Sequence, residues 1–152
     1  ELWICGDGPL KECVEGYAQK HENIHYYGIW PNDEVQRMEQ EAAVLIAPRF
    51  SKNDFTKYSF PSKTIEYMTS GTPAILTRLK GIPEEYFDYA YILEDETAEG
   101  ICNLLGEVLA EDGRVREEKG QKARAFVLTH KNYLEQSKRI LAFLRNMGRS
   151  GS

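Results

Sequence analysis

Short apolar segments alternate with segments of helical periodicity along most of the chain. The strand candidates include LWICG at residues 2–6, AVLIAP at residues 43–48 and AILT at residues 74–77. Some of these runs are apolar at every position, as strands covered on both faces of a parallel sheet require. Alternating strands and helices indicate βαβ units, so the sequence predicts an α/β fold with a Rossmann-like parallel sheet and helices on both faces. After Thr97 the pattern is helical almost to the end.

Composition excludes several classes of protein. With 152 residues, of which 41% are hydrophobic and 28% charged, the chain has the size and composition of one globular domain. A net charge of −5 argues against general nucleic-acid binding. The three cysteines and three histidines show no metal-ligand spacing, so we expect no metal site and reduced thiols, as in a cytoplasmic protein. No apolar run approaches the roughly 20 residues of a membrane helix.

The charge is distributed unevenly. Residues 49–80 carry six basic and two acidic side chains, a net charge of +4, which leaves −9 for the rest of the chain. A local positive patch on an acidic body indicates a small anionic ligand rather than a long polyanion. A chance cluster of solvated surface charges is the alternative interpretation.

The segment FPSKTIEYM within this basic window predicts the start of a helix. A helix N-terminus offers unpaired N–H groups and a partial positive charge, to which Lys63 adds a cation and Ser62 and Thr64 add hydroxyls. Glu66 follows one turn later on the same face, where it could accept hydrogen bonds from a ribose diol. The pattern therefore favours a nucleoside diphosphate as ligand. The alternative is an exposed Lys63–Glu66 pair on a capped surface helix.

Four segments that follow one another along the chain resemble a known family. LWICGDGPL, HYYG, AVLIAPR and YSFPSKTIEYMTSGTPAI are similar to the C-terminal domain of glycosyltransferase family 4, also called glycosyl transferases group 1. The resemblance runs through about residue 93. Within the family, these motifs are similar to those of enzymes of surface polysaccharide and O-antigen assembly. It implies the C-terminal half of a GT-B fold, with a nucleotide-sugar donor-binding domain over residues 1–147 and a flexible tail at 148–152.

The resemblance also implies roles for residues near the predicted helix. Glu66 matches the second acid of the family's E-x7-E motif and would bind the ribose hydroxyls. The backbone of Ser62, Lys63 and Thr64 would meet the diphosphate, whose departure Lys63 would stabilise, so Lys63 and Glu66 are the expected catalytic residues. The first motif acid falls at Tyr58, which is no carboxylate, so the contact to the donor sugar departs from the family pattern.

A second segment is implied to hold the nucleobase. Gly28, Ile29 and Trp30 match the family's nucleobase loop, which acts partly through backbone groups. The indole of Trp30 could stack on the base, or it could be a half-buried aromatic side chain near a strand end.

The implied activity is that of a retaining glycosyltransferase that needs no metal or other cofactor. It would transfer a sugar from a nucleoside diphosphate to a saccharide or lipid-linked acceptor. The implied partners are the nucleotide sugar and an N-terminal domain of the same protein, in the cytoplasm, with attachment to the inner face of the membrane left open. The resemblance places that domain and the first strand of this one before residue 1, so we expect the chain alone to be inactive. Open strand edges near residues 2–5 and 43–47 would then invite self-association.

Three other functions remain open at this point. A nucleotide-sugar 2-epimerase is similar in fold, although its expected catalytic acids and histidines have no counterpart that we can place. A second alternative is a nucleotide-binding module without catalytic activity, in which Tyr58 marks a lost active site. A βα domain with a basic surface helix would have no nucleotide site.

Overall fold

The computed structural model describes the backbone of residues 1–149 and the side chains of residues 1–146. Five short strands are formed: β1 Leu2–Cys5, β2 Ile24–Gly28, β3 Leu45–Ala47, β4 Ala74–Thr77 and β5 Tyr91–Leu93. Six α-helices accompany them: α1 Lys11–Ala18, α2 Asn32–Glu41, α3 Ser62–Ser70, α4 Ala98–Ala110, α5 Gly113–His130 and α6 Tyr133–Arg149. Two 3-10 helices cover Asp54–Lys57 and Glu84–Tyr89. The predicted tail at 148–152 begins inside α6, and its residues 150–152 lie outside the described part of the chain.

Residues 1–39 form one compact unit. Its sheet consists of β1 and β2 in parallel, with Leu2 opposite Ile24. The hydroxyl of Tyr26 donates a hydrogen bond of 2.7 Å to the carbonyl oxygen of Gly6, which fixes the chain just after β1. Helix α1 connects the two strands in a βαβ motif, and most of α2 follows it within the same unit.

The chain from Gln40 onward forms the second compact unit. Its sheet has the order β3-β4-β5, and both pairs are parallel, with Leu45 opposite Ala74 and Ile75 opposite Tyr91. The predicted α/β class with parallel strands is therefore confirmed, and the strands form two sheets, one of two strands and one of three. Within residues 1–149, β1 has only β2 and β3 has only β4 as a hydrogen-bonded neighbour strand. This agrees with the open edges predicted near residues 2–5 and 43–47.

Strand β4 is the centre of the second unit, because all four of its residues are buried. Leu76 faces a core cluster that includes Met68 on α3 and Phe126 on α5. Ile75 points to the opposite face and packs with Leu93 and with Val108 on α4. Side chains alternate between the two faces of a strand, so β4 is buried throughout because helices cover both faces, as predicted.

The end of α3 is fixed by two glycines. Gly71 follows the helix in the left-handed conformation, with φ at 85°, which glycine adopts without strain. Gly120 on α5 packs so closely against Gly71 and Pro73 that it leaves no room for a side chain. The pair of glycines therefore sets the distance between α3 and α5.

Helix α6 carries an unusually large number of exposed apolar side chains. Apolar side chains on α6 are exposed to solvent, namely Tyr133, Leu134, Ile140, Leu141, Phe143 and Leu144. Basic residues are interspersed with them along the helix. Within the described residues, no helix combines the length and the apolar composition that crossing a bilayer would require.

Candidate functional site

The start of α3 and the carboxyl ends of β3 and β4 surround a cavity of about 260 Å³, which we call the strand-end cavity. Ile46 and Leu76 contribute apolar walls from the two strands, and Lys63 contributes a cation from the helix. Ligands of open α/β sheets bind outside the carboxyl ends of the strands, next to helix N-termini. The predicted helix start thus lies where such folds hold their ligands.

Lys63 and Glu66 form a direct ion pair on α3. Lys63 Nζ donates a hydrogen bond of 2.5 Å to Glu66 Oε1, with the lysine side chain 45% and the glutamate side chain 24% exposed. The ammonium group also lies 5.6 Å from the ring centroid of Tyr67. The two residues therefore share one face, as the spacing predicted. An ion pair on an ordinary surface helix would show the same contact between the two side chains. Lys63 differs from such a residue because it also lines the strand-end cavity.

The backbone at the helix start is partly engaged. The amide of Thr64 donates a hydrogen bond of 3.0 Å to the carbonyl oxygen of Pro61. The side chain of Thr64 is buried and lines the strand-end cavity, while Ser62 is exposed. A phosphate outside the helix would meet Ser62 first, and it would have to displace the Pro61 bond to reach the Thr64 amide.

Tyr58 lies just after the 3-10 helix that precedes α3. Its side chain is 90% exposed and does not line the strand-end cavity. Its amide donates to the carbonyl oxygen of Phe55 at 3.3 Å. The phenol is accessible to a ligand above the helix start, in the loop where the first motif acid was expected.

Arg49 is a candidate site residue that sequence reasoning did not single out. It lies two residues after the end of β3 and lines the strand-end cavity together with Lys63. Its amide donates a hydrogen bond of 3.2 Å to Oγ1 of the buried Thr77 at the end of β4, so its backbone is held in place. The available signal was a basic residue placed two positions after the apolar strand segment that ends at Ala47.

The nucleobase candidates Gly28, Ile29 and Trp30 belong to the first unit. Gly28 ends β2 with φ at 64°, and its carbonyl oxygen accepts a hydrogen bond of 2.7 Å from Gly6. The side chains of Ile29 and Trp30 are 78% and 42% exposed, and the Trp30 ring meets Tyr27 edge-on at 5.1 Å. Part of the Trp30 indole is open to solvent, so both expectations for Trp30, stacking on a base and an aromatic side chain at a strand end, stay predictions.

A larger cavity of about 390 Å³ lies at the other end of α3. It is lined by Gly71 and Thr72 before β4 and by Arg116, Gln121 and Arg124 on α5. None of the predicted site residues lines it. Because it opens at the amino end of β4, it is unrelated to the ligand position typical of this type of sheet.

The acidic side chains that follow β5, Glu94 and Asp95, are hydrogen bonded within the protein. Arg78 donates hydrogen bonds to Glu94 at 3.2 Å and to Glu84, and these carboxylates raise the pKa of its guanidinium. Asp95 accepts the amide of Thr97 at 3.0 Å, and hydrogen bonds from Thr97 hold the pKa of Asp95 below its usual value. Among the described side chains, no group of three or more His, Cys, Asp or Glu residues is arranged to hold a metal ion.

Comparison with known proteins identifies proteins that are similar to this chain. In sequence, the chain is 29% identical over 110 residues to a Salmonella typhimurium protein named as the colanic acid biosynthesis glycosyltransferase WcaL. The match covers 68% of this chain and 27% of WcaL. The chain therefore spans about a quarter of the length of this relative.

Two solved structures share the fold. Sucrose-phosphate synthase from Thermosynechococcus elongatus superposes with a TM-score of 0.71 at 20% identity, covering 99% of this chain and 39% of that one. WaaG, a glycosyltransferase involved in lipopolysaccharide biosynthesis, superposes with a TM-score of 0.68 at 21% identity, covering 91% and 36%. The predicted likeness to the C-terminal half of a GT-B fold is confirmed by these neighbours.

The family model described as Glycosyl transferases group 1 matches residues 1–111, close to three quarters of the chain. It spans β1 to α4, and with them both candidate segments, Gly28–Trp30 and the start of α3. The resemblance inferred from the four sequence segments is confirmed, and the chain belongs to the glycosyl transferases group 1 family.

Proposed function

We propose that this chain is the donor-binding part of a retaining glycosyltransferase of surface polysaccharide biosynthesis. One observation carries the proposal: Lys63 and Glu66 lie together at the start of α3, beside the cavity at the carboxyl ends of β3 and β4. A relative named for colanic acid biosynthesis and a neighbour involved in lipopolysaccharide biosynthesis support the polysaccharide context. The donor is a nucleoside diphosphate sugar, and the acceptor is a saccharide or a lipid-linked saccharide.

The proposed chemistry uses the charge at the helix start. The bond between the anomeric carbon and the diphosphate oxygen breaks, the acceptor hydroxyl oxygen bonds to the same carbon, and the hydroxyl proton passes to the departing diphosphate. Negative charge grows on the diphosphate, and the ammonium of Lys63, already turned toward the phosphates when the donor binds, stabilises it together with the N-terminus of α3. Loss of one such donor typically raises the barrier by about 2.7–4 kcal/mol.

Glu66 has a binding role in this proposal. Its carboxylate leaves Lys63 Nζ and accepts hydrogen bonds from the ribose hydroxyls, while Lys63 turns toward the phosphates. The change replaces one partly exposed ion pair by two charge-assisted contacts to the ligand. Ser62 and the Thr64 amide complete the diphosphate contact, Tyr58 lies near the sugar, and Gly28, Ile29 and Trp30 hold the base.

The full activity requires more of the protein than this chain, because both substrates must be held together for transfer. We therefore include an N-terminal domain of the same protein among the proposed partners. We keep the cytoplasmic location and the absence of a metal cofactor as parts of the proposal. The described cysteines, Cys5, Cys13 and Cys102, are not joined in disulfides, which is compatible with a reducing compartment.

Saturation-transfer NMR with UDP, GDP, ADP and CMP tests the donor site. We expect one nucleotide to bind, and Lys63→Ala and Glu66→Ala each to weaken that binding about tenfold or more. Lys122→Ala and Glu118→Ala are the matched controls, because these residues form an exposed pair of the same kind on α5, at 2.8 Å. Equal affinity in the site and control variants would refute the site assignment.

Assays of the full-length protein distinguish the proposed transferase from the three alternative functions. Transfer of the sugar to an acceptor with retained anomeric configuration, read from the proton NMR spectrum of the product, supports the proposal. Inversion at carbon 2 of the free sugar nucleotide would instead identify an epimerase. Nucleotide binding with neither reaction would identify a binding module, and no binding in the full-length protein would leave only the structural role of a basic surface helix.

A further inference from the structure

The strand-end cavity contains a cation to which the proposed donor contacts assign no role. Among the described residues that line the cavity, Arg49 and Lys63 are charged and none is acidic. Lys63 contacts the diphosphate in the proposed function, whereas Arg49 has no contact to the donor. In a chain of net charge −5, a cavity wall with two cations and no acid favours a ligand that carries negative charge beyond its diphosphate.

The side chain of Arg49 has no acidic partner among the described residues. Its guanidinium lies 6.0 Å from the ring centroid of Phe55, and a contact with an aromatic ring does not neutralise the positive charge. Lys63, by contrast, is paired with the carboxylate of Glu66 at 2.5 Å. Arg49 is therefore the cation of the cavity whose negative partner a ligand would supply.

The backbone around Arg49 is held on both sides. The amide of Arg49 donates a hydrogen bond of 3.2 Å to Oγ1 of the buried Thr77, at the end of β4. Two residues later, the amide of Ser51 donates hydrogen bonds of 2.9 and 3.1 Å to the carboxylate of Glu96. Because this backbone is already fixed, binding through Arg49 costs less conformational entropy than binding through a mobile segment.

The order of the proposed donor contacts brings the sugar toward Arg49. Glu66, one turn inside α3, binds the ribose, and the start of α3 binds the diphosphate. The sugar is joined to the far phosphate, so it continues past the helix start into the strand-end cavity, whose other cation is Arg49. Since the cavity has a volume of only about 260 Å³, a group on the sugar lies within reach of the guanidinium when Lys63 holds the diphosphate.

A carboxylate is the sugar substituent that matches a guanidinium best. The planar guanidinium presents its N–H donors as a fork, which pairs with both oxygens of a carboxylate at once. A hydroxyl group would accept one of these hydrogen bonds without balancing the charge. Tyr58, which lies near the sugar in the proposed function, has a neutral phenol that does not repel an acidic sugar.

We infer that Arg49 determines the specificity for the donor sugar, and that this sugar is a hexuronic acid whose carboxylate pairs with the guanidinium. This inference rests on the proposed transferase function. It names the class of sugar that the donor carries and adds Arg49 to the donor contacts.

Isothermal titration calorimetry of the full-length protein tests the inference. The probes are three pairs of donors that differ only by a carboxylate in place of the hydroxymethyl group: UDP-glucuronic acid and UDP-glucose, UDP-galacturonic acid and UDP-galactose, and GDP-mannuronic acid and GDP-mannose. We expect the uronic acid of at least one pair to bind about tenfold or more tightly than its neutral partner. A uronic acid that gains no affinity over its neutral partner in any of the pairs would overturn the inference.

Variants assign the preference to one side chain. Arg49→Gln should lower the affinity for the uronic acid to that of its neutral partner, and should leave the affinity for the neutral partner and for the free nucleotide unchanged. Arg49→Lys should restore only part of the preference, because an ammonium group lacks the fork of N–H donors. Lys52→Gln is the matched control, since it removes a positive charge at an exposed position that does not line the cavity, and it should keep the full preference.

Three results of the variant series would contradict the assignment. A preference that survives in Arg49→Gln would show that another group recognises the carboxylate. An equal loss in Lys52→Gln would show that the preference comes from the general charge of the surface. An equal loss of affinity for the free nucleotide in Arg49→Gln would show that Arg49 contacts the diphosphate and not the sugar.

Titration with free UDP and GDP keeps the two proposals apart. Binding of nucleotides without any preference for a uronic acid would refute the role of Arg49 and leave the donor site intact, whereas no binding of any nucleotide or donor would refute both. Transfer kinetics provide an independent readout. In Arg49→Gln, kcat/KM for the uronic acid donor should fall about tenfold or more through KM, while kcat/KM for the neutral donor stays unchanged.

Discussion

The α-carbon of Gly120 packs against the carbonyl group of Gly71, where α5 crosses the end of α3. A methyl group on Gly120 would overlap that carbonyl oxygen and lie 2.9 Å from the backbone nitrogen of Pro73. Since both obstacles are backbone atoms, relief requires the two helices to move apart. We expect Gly120→Ala to lower the free energy of unfolding by about 3 kcal/mol, measured by urea denaturation.

Gly106 provides the matched control for this prediction. It lies inside α4 in the same unit, and a methyl group there would meet no atom within 4 Å. Gly106→Ala should therefore raise the free energy of unfolding by up to about 1 kcal/mol through helix propensity. A Gly120→Ala variant as stable as the wild type would contradict the close packing of α3 and α5.

Lys131 is a buried cation at the end of α5. Its side chain is 5% exposed, it donates a hydrogen bond to Glu85, and its ammonium lies 4.9 Å from the Tyr86 ring centroid and 5.1 Å from that of Phe126. We expect Lys131→Ala to reduce the free energy of unfolding by about 2 kcal/mol, through lost stem packing and lost contact with the rings. Lys138→Ala, at an exposed pair on α6, is the control and should change stability by less than about 0.5 kcal/mol.

The same pair predicts a dependence of stability on pH. The hydrogen bond from Lys131 is the main cause that lowers the pKa of Glu85. A carboxylate whose pKa is lower in the folded state stabilises the fold above its unfolded pKa of about 4.3, and this contribution is lost as the pH falls through the folded value. Glu85→Gln should therefore differ most from the wild type near neutral pH and converge with it below about pH 4. Parallel thermal melts over this range measure the effect, and a constant difference would refute it.

Tyr91 predicts the opposite behaviour at high pH. Burial, aided by its hydrogen bond to Glu111, raises the pKa of the Tyr91 phenol to about 12. Because the folded state holds this proton more tightly, the contribution to stability is present below about pH 10 and is lost as the pH rises toward 12. The ultraviolet difference titration of wild type minus Tyr91→Phe should show a tyrosine ionising near pH 12. A component near the ordinary value of about 10 would contradict this environment.

Thr97 begins α4 with a side-chain cap. Its Oγ1 accepts a hydrogen bond of 3.1 Å from the amide of Gly100. Thr97→Ala should cost about 1 kcal/mol in the free energy of unfolding, as removal of an N-cap usually does. Thr129→Ala, at an exposed position inside α5, removes the same atoms without removing a cap and should be neutral or slightly stabilising. Equal effects of the two changes would indicate that the cap contributes nothing.

Much of the fold was predictable because local signals agreed with tertiary packing. The apolar stretch AILT became β4 with every residue buried, and Gly71 ended α3 as its position before Pro73 indicated. The open edges at which the strands divide into two sheets were predicted from the family resemblance and not from these patterns. Hydrophobic periodicity identifies strands, but hydrogen bonding between strands depends on which neighbours the rest of the polypeptide supplies.

The candidate site was predictable in part for a similar reason. Lys63 and Glu66 are three residues apart on one helix, so spacing alone brings them together. The hydrogen bond between Pro61 and the Thr64 amide could not be read from the sequence, since it depends on the backbone angles at the helix start. The basic residues of 49–80 also have different surroundings, which composition does not reveal. Arg49 and Lys63 line the strand-end cavity, whereas Arg78 forms ion pairs with Glu84 and Glu94.

Every hydrogen-bonded pair of strands within residues 1–149 joins two strands that are consecutive along the chain. Leu2 pairs with Ile24, Leu45 with Ala74 and Ile75 with Tyr91, so the partners are close in sequence for parallel strands. Parallel sheets usually fold slowly because distant segments must meet first. A ribosome adding about 5–20 residues per second would supply each partner strand within a few seconds of the one before it. The chain can therefore assemble both sheets co-translationally, in the order in which its strands are synthesised.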